Sequence, residues 1–269
     1  MQKCKHRAAN RRYNTKSLGN KDKIQMNIKM IVCDVDDTLL KKDKTVSEYT
    51  LAILSRCREA GIKTAIATAR GHPEKVAPAE LFDGKILCNG AAIIADGATY
   101  RQTISCREAR PLLLACCQRG LRITTQLDDM HYSNFDVDTV WPEIQKWKTV
   151  DFTTHDIDIE KINVDSVTAE DATFIMQYMT GNMYLKVARD GLGMIMHKDA
   201  TKSKALAELA RIWDIAQSEI VAFGDDLNDI DMLAYTGVGV AVGNALDEVK
   251  AAADYICDTN DNDGVAKWL

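Results

Sequence analysis

The chain has 269 residues, 46% hydrophobic and 27% charged, with a formal net charge of -5. This composition is that of a soluble globular protein, long enough for one large domain or two modest ones. It argues against nucleic acid or an anionic membrane surface as a partner. No apolar stretch approaches the roughly 20 residues of a membrane span, and the eight cysteines contain no CxxC pair, which argues against a disulfide framework or a zinc cluster. Small anionic substrates remain compatible, because local rather than net charge governs them.

Residues 1–27 are basic and polar, without apolar periodicity and without the apolar core of a secretory signal. They read as a disordered extension, with Met26 or Met30 as a candidate natural start and the cytoplasm as the expected location. "KMIVCDVD" then reads as a buried strand, and "VSEYTLAILSRCREAG" as a helix ending at Gly61. "IKTAIATAR" is a second strand. Its nearly continuous apolar content suits a parallel sheet covered on both faces. "HPEKVAPAEL" suggests a short helix, "KILCNGAAIIADG" a strand, turn and strand, and "GATYRQTI" the rest of a hairpin.

From about residue 95 the texture changes. "SCREARPLLLACCQRG" reads as a helix and "LRITTQLDD" as a strand, while "WPEIQKWKTV" and "AEDATFIMQYM" suggest short helices between polar strands. "TKSKALAELARIWDI" restores a clear helix, "SEIVAFGDDLND" a strand and loop, and "DIDMLAYTG" a short helix. Strand and helix alternate at both ends around a different middle. The expected fold is therefore α/β: a Rossmann-like three-layer core with a parallel central sheet and an inserted α+β domain. The expected division is a core at 28–92 and 191–269 and an insertion at 93–190.

Ligands in parallel α/β folds bind beyond the carboxyl ends of strands. The expected strands end at Asp34, near Thr68 and at Asp225. If those strands are neighbours, Asp34, Asp36 and Asp225 converge with Thr68. A hard cation such as Mg²⁺ would relieve their repulsion. Alternation within "DVD" points the Asp34 and Asp36 side chains to one side and Val35 to the other. Taken alone, "DVDDT" also suits a solvated turn or helix cap, and "GDDLND" an ordinary loop.

These stretches resemble the haloacid dehalogenase-like superfamily, in particular its Cof-type phosphatases with a type IIB α/β cap. "DVDDTLL", "AIATAR", "KSKALAEL" and "AFGDDLNDIDML" are similar to that family's four motifs. "CNGA" and the stretch from "GVAVGNALDEVK" to the C-terminus are similar to further family segments. The resemblance covers about residues 28–269 and is weakest in the middle. It implies a Mg²⁺-dependent phosphatase working through an aspartyl-phosphate.

Asp34 would be the nucleophile, and Asp36 the general acid and then the base. The metal would be held by Asp34, the Asp36 backbone carbonyl and Asp225. Thr68, Ala69, Lys202 and Asn228 would bind the phosphoryl group, and Asp229 would orient Lys202 or support the metal. The inserted domain would be a lid reading the leaving group, hinged near Ala92 to Ala95 and Lys186 to Lys198. His131, Tyr132 and Asp136 are its candidate substrate contacts. Arg101, Arg107 and Arg110 are weaker candidates, better read as solvated.

The implied substrates are small phosphorylated metabolites of the sugar phosphate, flavin mononucleotide or pyridoxal phosphate class, acted on by a monomer or homodimer. Asp37 and Ala69 occupy positions usually held by glycine. Asp37 is expected to face outward or to cap the following turn. A phosphomutase on the same core and a catalytically silent metabolite-binding protein are the alternatives. A dinucleotide site in "GVGVAVGNA" is disfavoured, since that stretch does not follow the first strand.

Overall fold

The computed structural model describes residues 27–71, 81–188 and 190–269. The basic extension expected at 1–27 and the helix expected over 72–81 lie almost wholly outside the described residues.

Strand β1, Met30–Cys33, is apolar along its whole length and buried on both faces. Such a strand belongs in the middle of a parallel sheet. It pairs in parallel with β12, Ile220–Gly224, on one side and with β2, Lys63–Ala67, on the other. Beyond β12 lie β13, Val238–Ala241, and the short β14, Tyr255–Ile256, also parallel. Beyond β2 lies parallel β3, Gly84–Leu87. The antiparallel pair β4, Ala92–Ala95, and β5, Ala98–Arg101, then closes that edge.

Two groups of helices cover this sheet. Helix α1, Glu48–Glu59, packs with α7, Gly264–Trp268. Helix α4, Lys202–Ile212, packs with α5, Ile230–Tyr235, which in turn meets α6, Asp247–Ala252. Side-chain caps fix two of these starts: Ser47 accepts from the Thr50 amide at 3.1 Å, and Thr201 from the Lys204 amide at 3.3 Å. The second cap sets the position of Lys202, the first residue of α4.

A second sheet has the order β10, Met183–Val187; β11, Gly193–His197; β9, Lys161–Val164; β6, Ile123–Leu127; β7, Met130–Ser133; and β8, Trp147–Thr149. Helices α2, Cys106–Gln118, and α3, Ala169–Tyr178, share a core with it through Leu112, Leu113, Ile162, Ile175 and Ile195. A small apolar cluster joins the two sheets. Cys88 and Ala91 follow β3, and Met194 and Met196 come from β11.

Two expectations differ from this arrangement. "WPEIQKWKTV" is not a helix: its last part is β8, paired in parallel with β7. Pro142 and a weak apolar period left helix propensity with little to oppose strand pairing. The positions 93 and 190, expected as limits, also do not coincide with the passages between the two sheets. Strands β4 and β5 extend the first sheet, and β11 belongs to the second. An antiparallel hairpin carries the same alternation whichever sheet it joins, so its residues alone did not mark the crossing. The chain crosses instead near Gln102 and near Lys198. There the Gln102 side-chain Nε2 meets His197 Nδ1 at 2.9 Å. Among the described residues no helix is long and apolar enough to cross a membrane.

Gly90 stands at φ +108°, and a Cβ there would lie 2.4 Å from the Thr201 carbonyl oxygen. The backbone ahead of α4 therefore packs directly on this turn. We expect Gly90→Ala to destabilise the protein by about 2 kcal/mol or more in urea denaturation, from backbone strain together with that overlap.

Candidate active site

Because β12, β1 and β2 are adjacent, Asp225, Asp34 and Thr68 leave one sheet edge side by side. Asp34 continues the ladder one step past β1, its amide bonding the Phe223 carbonyl at 3.0 Å. The chain then turns. Asp36 is still extended at ψ 130°, and Asp37 takes φ +57°. That left-handed conformation favours glycine, and aspartate is among the few other residues that tolerate it. The Asp37 side chain faces outward, half-exposed beside Lys44.

Lys202 is buried behind this edge, its Nζ donating to Asp34 Oδ1 at 2.5 Å and to Asp229 Oδ1 at 2.6 Å. The other Asp229 oxygen accepts from the backbone amides of Asp225 and Asp226, at 3.0 and 3.1 Å. Gly224 makes room for this fold-back: a Cβ there would stand 2.4 Å from the Asp229 Cβ. Asp225 Oδ1 accepts from the Thr38 hydroxyl at 2.5 Å.

One oxygen each from Asp34, Asp225 and Asp229 fall within 4.8 Å of one another. An all-oxygen carboxylate set suits a hard divalent cation. Asn228 Oδ1 is a buried acceptor without a donor among the described residues, which suits a cation carrying bound water. The third side chain of this cluster is Asp229, expected to orient Lys202 or support the metal, while the contribution expected of Asp36 was its backbone carbonyl rather than its carboxylate. Both Asp229 oxygens already have partners, which fits a residue that steadies Lys202 and the loop.

Burial pushes Asp34 well above the usual carboxylate range. Lys202 opposes that shift, and Asp229 and Asp225 add to it. Burial likewise pushes Asp225 up to about 7, against the Thr38 hydroxyl and with Asp229 adding. Burial alone would lower Lys202, but Asp229 and Asp34 outweigh it and hold the ammonium above its ordinary value. Three carboxylates thus share one lysine, and the site is short of positive charge.

Asp36 has different partners. Arg70 grips it with Nε at 2.6 Å and Nη2 at 2.7 Å, and Lys44 adds a contact at 3.2 Å. Burial opposes ionisation here, but these cations win and hold the carboxyl below its usual range. Thr68 is buried, and its hydroxyl accepts from the Arg70 amide at 3.1 Å. Asn89, at φ +55°, accepts from Asn228 Nδ2 at 3.0 Å.

These residues face a cleft of about 570 Å³. Asp34, Asp36, Thr68, Ala69, Asp225 and Asn228 line it, with Lys202 and Asp229 buried behind. The second sheet contributes Lys186, Val187, Ala188, Asp190 and Met194, from the β10–β11 hairpin. Lys186 reaches toward Asp226 across the cleft at 3.9 Å.

His131, Tyr132 and Asp136 are not among the lining residues. Tyr132 packs on the His155 ring, 4.9 Å between centroids, and Asp136 accepts from the Asp138 amide at 3.1 Å. Arg101 pairs with Asp128 and Glu160, Arg110 donates to the His155 carbonyl, and Arg107 is exposed. Sequence reasoning assigned no role to Arg70 or Asn89, and it gave Lys186 to Lys198, most of this hairpin, a hinge role rather than a place in the cleft lining. A signal for the hairpin was present: "RDG" between two short apolar runs, with Gly191 at φ +89°.

The raised carboxyls have a thermodynamic consequence. Between its unfolded value near 3.8 and about 7, Asp225 binds more protons folded than unfolded. The stability this gives the cation-free protein is full below the lower value and is lost as pH rises through the higher one. A cation takes only the ionised form. We therefore expect Mg²⁺ to raise the thermal midpoint more at about pH 8 than at about pH 5. Scanning calorimetry checks this, and equal rises at both pH values would contradict it.

The sequence matches the profile of the haloacid dehalogenase-like hydrolases over residues 31–269. It is 29% identical to the 5-amino-6-(5-phospho-D-ribitylamino)uracil phosphatase YcsE of Bacillus subtilis, covering 91% of this chain and 95% of that protein. It is 27% identical to the pyridoxal phosphate phosphatase YbhA of Escherichia coli, covering 91% and 98%. The fold superposes on a subclass IIB sugar phosphatase with a TM-score of 0.77 at 25% identity, covering 89% of this chain and 96% of that one. With a family profile spanning nearly its whole length, and an acid cluster at the ends of β1 and β12, the chain belongs to the haloacid dehalogenase-like hydrolases, as a phosphatase with a Cof-like cap.

Proposed function

We propose that the chain hydrolyses phosphate monoesters of small metabolites through an aspartyl-phosphate on Asp34. The observation that carries this reading is the convergence of Asp34, Asp225 and Asp229 at one sheet edge, with Lys202 bridging Asp34 and Asp229, beside a cleft. An anionic nucleophile meets an anionic phosphate only if positive charge is supplied. Lys202 supplies part of it. A Mg²⁺ held by Asp34, Asp225 and the Asp36 carbonyl would neutralise phosphoryl oxygens.

Asp34 attacks phosphorus while Thr68, the Ala69 amide and Asn228 hold the phosphoryl oxygens. Asp36 protonates the leaving oxygen, then takes a proton from the water that cleaves the aspartyl-phosphate. Its pairing with Arg70 favours the ionised form, ready for the second half. The first half requires the incoming phosphate to draw Arg70 away. Residues 28–101 and 198–269 form the catalytic core in this reading, and the segment between them is the substrate-reading cap.

The cap side of the cleft favours a leaving group with a flat apolar face. Val187, at the end of β10, is 41% exposed and Leu227, in the loop after β12, is 51% exposed, and both line the cleft. Pyridoxal and uracil rings, named for the substrates of two relatives, have such a face. A panel of sugar phosphates, flavin mononucleotide and pyridoxal phosphate, assayed with Mg²⁺, tests the reading. We expect saturable phosphate release that falls to background in Asp34→Asn. Equal release by that variant would refute the mechanism, and a preference for simple sugar phosphates would refute the ring assignment.

A further inference from the structure

Lys161 opens β9 in the cap and is 8% exposed. Its Nζ donates to the Ala69 carbonyl oxygen, in the core loop after β2, at 3.1 Å. Among the described residues no carboxylate pairs with it. Its neighbour Glu160 is taken by Arg101 and by the Asp128 amide. A buried ammonium whose one bonded partner among the described residues is a carbonyl is a costly arrangement, so its placement calls for a role.

The bonded carbonyl belongs to a peptide unit tied at both ends. Ala69 C=O accepts from Lys161, and the N–H of the same planar unit, on Arg70, donates to the Thr68 hydroxyl at 3.1 Å. Arg70 C=O then accepts from the Cys88 amide at 2.9 Å, while its guanidinium grips Asp36. A second cap side chain sits on the same loop. Gln126 is the β6 partner of Lys161, and a Cβ on Gly71 would stand 1.7 Å from its Nε2. Two neighbouring side chains of one cap sheet therefore press on residues 69 to 71.

We propose that Lys161 is a positioning residue through which a seated cap holds the 69–70 peptide, and so Arg70 and Asp36, in working geometry. The proposal rests on the phosphatase reading above. With the cap displaced, Lys161 leaves the Ala69 carbonyl, the peptide can rotate, and Arg70 loses its fixed origin. Chemistry is thereby restricted to the closed enzyme, in which water is excluded.

The test is a double-mutant cycle on the full chain, with p-nitrophenyl phosphate and Mg²⁺. Lys161→Met keeps the aliphatic stem and removes the donor. We expect kcat to fall between about 10- and 100-fold, the scale of a displaced catalytic group, with KM little changed. Lys161→Arg, which can still reach the carbonyl, restores most of it. In an Arg70→Ala background Lys161→Met has little further effect. An unchanged kcat, a fall that multiplies with that of Arg70→Ala, or no rescue by Lys161→Arg would overturn the proposal. If Lys161→Met does not fold, Lys161→Gln runs the same cycle. Wild-type turnover that depends on Asp34 stands in all these cases, whereas failure of the phosphatase reading abolishes it.

Discussion

The contact between the Lys202 ammonium and the carboxylates of Asp34 and Asp229 organises the carboxyl edge of the central sheet. Burying any one of these charges alone costs several kcal/mol. Together they are tolerable, because each oxygen of Asp229 has a donor and Lys202 has two acceptors. Yet Asp34 and Asp225 stay under-compensated, and their raised proton affinities express that deficit. The edge is thus built to receive positive charge, and a phosphate can follow that charge in. Geometry supports the electrostatics: Gly224 lets Asp229 fold back, and the close packing of Gly90 on Thr201 fixes the start of the helix carrying Lys202.

The cap completes the site in two ways. The β10–β11 hairpin lines the cleft with Lys186, Val187, Ala188, Asp190 and Met194, so it has the place for reading a leaving group. The β6–β9 pair instead presses Gln126 and Lys161 on the loop after β2. Substrate reading and catalytic geometry would then lie on different strands of one sheet. A small apolar cluster of Cys88, Ala91, Met194 and Met196 seats that sheet on the core.

Much of the core was legible because its signals are local. The continuous apolar run of β1, the strand-ending acids and the helix opened by Lys202 each sit in a short stretch whose period or composition speaks for itself. The cap was less legible. Its strands are short and half-polar, and β8 forms only by pairing at an edge. Which sheet the β4–β5 hairpin joins is a tertiary fact, so the pattern of its residues did not mark where the chain passes between sheets. His131 and Tyr132 drew notice for their side-chain chemistry. Which strand faces the cleft depends on sheet order, which one sequence does not display. Arg70 and Lys161 work through partners far along the chain, at Asp36 and Ala69, and spacing alone does not reveal such pairs.

The central claim is that Asp34 itself takes up the phosphoryl group. Rapid acid quench of the enzyme turning over a radiolabelled phosphate monoester, followed by peptide mapping, addresses it directly. The account predicts acid-stable, hydroxylamine-sensitive label on the peptide containing Asp34 and none in Asp34→Asn. Label on another residue, or steady turnover with no labelled protein at any quench time, would contradict it.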